Sequence, residues 1–129
     1  EMAPPPTVIW HEVEQAHPRR VVRDLLSGRM TVDFPRWTYR KEMPEIGQTQ
    51  SSTAFARYEI TDGDPLSASL VTDYAVEIVR PDATITHRSS GRLTCDITHF
   101  IVEMDLAIGE NGKTIFERHW HEKIARDML

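Results

Sequence analysis

Two stretches near the C-terminal end constrain the fold most. HFIVEMDLAI, residues 99 to 108, and TIFERHWHEKI, residues 114 to 124, both alternate apolar and polar residues. A period of two places successive side chains on opposite faces of an extended strand. Between them lies Glu110-Asn111-Gly112-Lys113. Asn-Gly is the strongest short hairpin signal, because both central residues of a type I′ turn need positive φ. Together they predict an antiparallel hairpin with one apolar face.

The same pattern runs back along the chain. RMTVDF puts Met30, Val32 and Phe34 on one face, and STAFARYEI does the same with Ala54, Ala56, Tyr58 and Ile60. In LSASLVTDYAVEIV the shared face carries Leu70, Tyr74, Val76 and Ile78; in ATITHRSSGRLTCDI it carries Ile85, Leu93, Cys95 and Ile97. Ser27-Gly28, Asp62-Gly63-Asp64-Pro65 and Pro81-Asp82 are turn signals between these runs. Gly91 in mid-strand predicts a bulge or bend. Residues 35 to 51, with two prolines and Gly47, read as an irregular loop. No window carries a helical stripe.

Strands with one apolar face bury it best by packing two sheets together. The expected fold is therefore all-β: an antiparallel two-sheet sandwich of jelly-roll type with seven or eight strands. A length of 129 residues suits one domain. Residues 1 to 18, with Pro4-Pro5-Pro6 and a short apolar run at Val8-Ile9-Trp10, read as a proline-rich lead-in. Residues 19 to 129 read as the single sandwich domain.

Composition narrows the function. The net charge of −5 and the scatter of Lys and Arg disfavour phosphate backbones and anionic membrane surfaces. No apolar run is long enough for a transmembrane helix. A single cysteine, Cys95, allows no internal disulfide, which fits a cytoplasmic setting. Neither a Gly-rich phosphate loop nor a G-x-S-x-G nucleophile elbow is present. No cofactor is expected.

Four groups of residues invite a chemical reading. His119 and His121, in FERHWHEKI, share one strand face and could supply two imidazoles to a metal ion. Glu117 and Lys123 share that face, which makes a solvated strand surface the simpler account. Cys95 and His99 suggest a nucleophile and its base, but four extended residues span about 13 Å. The pair must meet within about 3 Å, so only a turn at Thr98 would join them. His87 falls in the apolar phase, where a partly buried, hydrogen-bonded imidazole is expected. Trp10, Trp37 and Tyr39 lie outside the regular alternation and are candidates to line a sugar or partner surface, or to cover a sheet edge.

RRVVRDLLSGRMTV, YEITDGDPLSASL and RLTCDITHFIVEMDLAIGENGKTIFERHWHEKIARDML, in that order, resemble the C-terminal domain of X-prolyl dipeptidyl-peptidase-like and cocaine-esterase-like acyl hydrolases. The likeness rests on Arg19 to Gly28, Ile60 to Ala68, Thr94 to Phe100 and Ile115 to Asp127. It departs at Ile124-Ala125-Arg126, where that family has a proline before the arginine. The resemblance implies a jelly-roll sandwich that supports a serine α/β-hydrolase domain and helps shape its substrate pocket or oligomer contacts. It implies no catalytic residue in this chain.

Three functions follow as expectations. The first is a non-catalytic accessory module whose partner is an α/β-hydrolase catalytic domain, in the same or a separate chain, with possible homo-oligomerisation. The second is a stand-alone carbohydrate- or protein-binding module using Trp10, Trp37 and Tyr39. The third is a small metal-dependent hydrolase using His119 and His121.

Overall fold

The computed structural model describes residues 4–12 and 19–127. Eight strands form one antiparallel sheet: β1 (Ile9–Glu12), β2 (Arg20–Arg23), β3 (Arg29–Met43), β4 (Gln48–Thr61), β5 (Asp64–Val79), β6 (Thr84–Cys95), β7 (His99–Glu110) and β8 (Lys113–Ala125). Their order is β1-β3-β4-β5-β6-β7-β8, and β2 pairs with β3 beside β1. From β3 onward each strand turns back on the one before it, a meander without crossovers. The all-β antiparallel fold expected from the alternation is what the protein adopts. The sheet is open, and the described residues supply one layer of the kind from which a sandwich is built.

Local chemistry sets the turns. At the β7–β8 turn Asn111 has φ 51° and Gly112 φ 80°, the positive pair that Asn-Gly accommodates. The Asn111 side chain also accepts the Thr84 N–H at 2.8 Å, tying this turn to β6. Between β6 and β7, Asp96 Oδ1 accepts the N–H groups of Thr98 and His99, both at 2.7 Å. The chain end past the missing proline is held to the same loop: Arg126 N donates to the Thr98 carbonyl at 2.9 Å.

Residues 35 to 51 are not the irregular loop their prolines suggested. β3 and β4 run through them, joined by a single 3-10 turn at Pro44–Ile46. The register slips between Phe34 and Trp37, so the stretch around Pro35 forms a bulge. A bulge is where a strand tolerates a proline, whose missing N–H would break a regular ladder. Gly91 needs a different correction. β6 passes through it with no register shift on either side. The glycine is required by close approach instead: a Cβ there would lie 2.8 Å from Thr72 Oγ1.

The two faces differ in kind. One row across the sheet is Val32, Tyr58, Leu70, Leu93 and Val102, each directly opposite the next. The neighbouring row on this face runs from Phe34 through Ala56, Thr72 and Gly91 to Met104 and Trp120. Small residues thus make a trough down the middle, with bulky ones on either flank. The opposite face is charged. There Asp33 pairs with Arg57 on one side and with Arg20 on the other, at 2.6 and 3.4 Å.

The apolar face has no cover among the described residues. None of their hydrophobic side chains is buried, and Met104, Phe116 and Ile124 are 44%, 45% and 54% exposed. The accessible surface is 9665 Å², whereas a compact chain of this mass exposes about 7,000 Å². Within the described residues, no helix is long and apolar enough to cross a membrane.

Candidate functional site

The bulge at Phe34–Trp37 builds the aromatic site. Before it, even-numbered residues of β3 face the apolar side; after it, the extra residue brings Trp37 and Tyr39 to that same side, opposite Ala54 and Ser52. Trp10, on β1, sits opposite Lys41 and so joins them. The three aromatics that the sequence left scattered in irregular segments are therefore one cluster on two paired strands. Trp37 stacks on Tyr39 with ring centroids 5.1 Å apart and planes at 20°, and Trp10 leans on Tyr39 at 5.5 Å and 53°. Lys41 Nζ lies 5.6 Å from the centre of the Trp10 ring. Trp10 and Trp37 are 62% and 42% exposed.

Beneath this cluster lies Ser52, directly across from Tyr39. It is the only fully buried side chain among the described residues, and its Oγ makes no hydrogen bond. Sequence reasoning missed it. Its signal was the run of small residues Ser52, Ala54 and Ala56 on one face of β4.

An apolar groove of about 340 Å³ continues along the same face, lined by Val32, Tyr58, Leu70, Leu93 and Phe100 among others. Cations sit over aromatic rings around it. Arg19 lies 4.1 Å from the Phe34 ring centre, Arg118 lies 4.8 Å from that of Trp120, and Arg126 lies 5.2 Å from that of Phe100. Exposed aromatics and arginines at an apolar centre are the composition of protein interfaces.

His119 and His121 lie on the charged face, as the alternation predicts. The sequence named no further group for them, but the register supplies one each. Asp105 stands opposite His119, and Glu103 stands opposite His121. His119 Nδ1 is 2.8 Å from Asp105 Oδ1, and His121 Nδ1 is 3.5 Å from Glu103 Oε1. These are two separate acid–imidazole pairs. Among the described residues no group of three or more His, Cys, Asp or Glu side chains is placed to hold a metal ion.

Ser90, Asp105 and His119 follow one another across β6, β7 and β8. They are the residue types of a hydrolytic triad in the wrong order. The aspartate is in the middle, and two strand spacings put Ser90 about 10 Å from the imidazole. A serine needs its base within about 3 Å. This row borders an open cleft of about 790 Å³ whose rim mixes Arg36, Asp73, Arg88 and Glu117.

The turn needed to join Cys95 and His99 does form, but it does not join them. Cys95 pairs with Phe100 on the apolar face, whereas His99 pairs with Ala125 on the other. Cys95 Sγ lies 3.9 Å from the carbonyl oxygens of Pro65 and Leu66, and His99 Nδ1 is 2.7 Å from Thr98 Oγ1. His87 is part-buried in the apolar phase, as expected, but among the described residues its ring makes no hydrogen bond; its contact is the Tyr74 ring, edge-on with centroids 5.6 Å apart.

Four carboxylates, those of Asp24, Asp33, Glu45 and Asp96, are held below the ordinary range. The Arg57 guanidinium, hydrogen-bonded to Asp33, holds that carboxyl below the ordinary range, with Arg20 adding to the effect. Backbone N–H groups of Thr98 and His99 do the same for Asp96. Both favour the ionised form because it accepts more or stronger hydrogen bonds. Both fix the sheet, one at the β2–β3–β4 edge and the other at the β6–β7 turn.

The chain was compared with protein families, with curated proteins and with solved structures, and no match was found in any of the three.

Proposed function

We propose that this chain is a non-catalytic sheet module that works by packing its apolar face onto a larger folded domain. The observation that carries this reading is the apolar face, on which no hydrophobic side chain is buried among the described residues. Burying such a face stabilises by about 25 cal/mol per Å². A partner domain therefore supplies what the sheet lacks. The resemblance in the sequence points to a serine α/β-hydrolase catalytic domain, in the same or a separate chain, as that partner. The module would support it and help wall its substrate pocket.

The test has two parts. The chain alone should not hydrolyse p-nitrophenyl esters or X-Pro substrates, and it should bind a hydrophobic dye strongly. Added or fused to an α/β-hydrolase domain from its own gene neighbourhood, it should lose the dye signal. Hydrolysis by the chain alone, or dye binding unchanged by the hydrolase domain, overturns the reading.

A second reading is favoured by one observation, the stacking of Trp37 on Tyr39 beside Trp10. Flat exposed rings of this kind also bind sugar faces. In that case a glycan array gives binding that W37A abolishes. The metal-hydrolase reading has no such support, since each imidazole is taken up by its own carboxylate.

A further inference from the structure

Among the described residues β8 is the free edge of the sheet, paired with β7 on one side only. An edge strand presents a row of unpaired backbone N–H and C=O groups, a template for another strand. All thirteen residues from Lys113 to Ala125 are exposed except Trp120, which is part-buried. None of its five Lys, Arg and Glu side chains makes an ion pair among the described residues, and four of the five stand opposite apolar residues of β7. Glu117 stands opposite Ala107, Arg118 opposite Leu106, Glu122 opposite Val102 and Lys123 opposite Ile101. β7 offers each of them an apolar neighbour.

We propose that these charges are paired across a twofold axis at Trp120, by antiparallel addition of the β8 edge of a second copy of this chain. Directly opposite residues then have numbers that sum to twice 120. Glu117 of each copy faces Lys123 of the other, and Arg118 faces Glu122. Phe116 faces Ile124, Ile115 faces Ala125, and Trp120 meets its own counterpart. The faces agree as well: Glu117 and Lys123 both lie on the charged side, and Arg118 and Glu122 both lie on the apolar side. His119 faces His121, but each is already held by a carboxylate of β7.

Neighbouring registers lack this match. With the axis at His119, Glu122 meets Phe116 and Lys123 meets Ile115. With the axis at Arg118, Lys113 meets Lys123. With the axis at His121, Trp120 meets Glu122 and Arg118 meets Ile124. Opposite charges directly across an antiparallel pair stabilise it, and like charges destabilise it. The sequence of β8 is thus near-palindromic in apolarity and complementary in charge about one residue. That is the self-complementarity an isologous contact needs. The interface lies on the strand edge and is independent of what covers the apolar face.

Light scattering with size-exclusion chromatography tests the pairing. The wild-type chain should be a dimer. K123E and E117K should each weaken it on the order of tenfold or more, because each reversal makes two like-charge contacts. The double variant E117K/K123E should recover the dimer, which loss of folding cannot mimic. In a C95A background, W120C should form an intermolecular disulfide, because antiparallel partners bring Cα atoms within about 4.5 to 5.5 Å. I115C should not cross-link to itself. A monomeric wild type overturns the proposal. So does a dimer indifferent to K123E, or one the double variant fails to restore.

Discussion

Asp105 and His119 face each other across β7 and β8, with the imidazole Nδ1 2.8 Å from the carboxylate. The contact exists because of a one-residue slip. The turn pairs Glu110 with Lys113 and Gly109 with Thr114, and a bulge at Ile115 then shifts everything beyond it. Both partners are well exposed, so the pair contributes little to stability. H119A should change the urea midpoint by less than about 0.5 kcal/mol equivalent, measured by equilibrium unfolding.

Tyr39 touches two rings, whereas Trp10 and Trp37 each touch one of the three. An aromatic pair is worth about 0.5–1.5 kcal/mol beyond burial. Y39A should therefore destabilise the chain by about 1 kcal/mol more than W10A does. Urea unfolding followed by far-UV circular dichroism resolves the difference.

Ser52 is 1% exposed with an unpartnered Oγ. Removing an unsatisfied buried hydroxyl removes its desolvation cost, at the expense of a very small cavity. S52A should raise stability by about 1 kcal/mol, read as a higher thermal midpoint. A fall of similar size would mean that the hydroxyl has a partner.

Gly91 admits no Cβ while Thr72 keeps its Oγ1 2.8 Å from that position. G91A should cost about 1–3 kcal/mol by overpacking. T72A removes the obstructing oxygen, so T72A/G91A should recover most of that loss. Additive losses in the double-mutant cycle would place the strain elsewhere.

Asp33 and Asp96 both have lowered folded-state pKa values, caused chiefly by Arg57 and by the Thr98 N–H. A carboxyl with a depressed folded pKa contributes stability that is fully present above its unfolded pKa. That contribution is lost as pH falls through the folded value. Stability should therefore hold through neutral pH and decline as pH drops below about 4. D33N should flatten part of that decline, as measured by urea midpoints across pH.

Much of the fold was legible because its signals are local. Asn111-Gly112, Asp62-Gly63 and Ser27-Gly28 all turn where the sequence predicts, since each supplies a positive φ. The alternation assigned nearly every strand residue to its correct face. The bulges were not legible. Without the one at Ile115, the Asn-Gly turn would set Arg118, not His119, against Asp105. Without the one beside Pro35, Trp37 and Tyr39 fall out of phase with Phe34, and with Pro35, Pro44 and Gly47 in it that stretch read as a loop. A bulge is one extra residue; a proline such as Pro35 is compatible with one, but the slip itself shows only when two strands are laid together. The acid partners of the histidines and the aromatic cluster both depended on such slips.

Because the meander joins each strand chiefly to those beside it, damage to the sheet should stay close to where it is made. The long strands from β3 to β8 interlock in series, like links in a chain. The tight turn at Asn111-Gly112 is the cheapest place for assembly to begin, with later strands joining one at a time. Unravelling would then start far from it, at the short four-residue strand β1, and take Trp10 of the aromatic cluster with it.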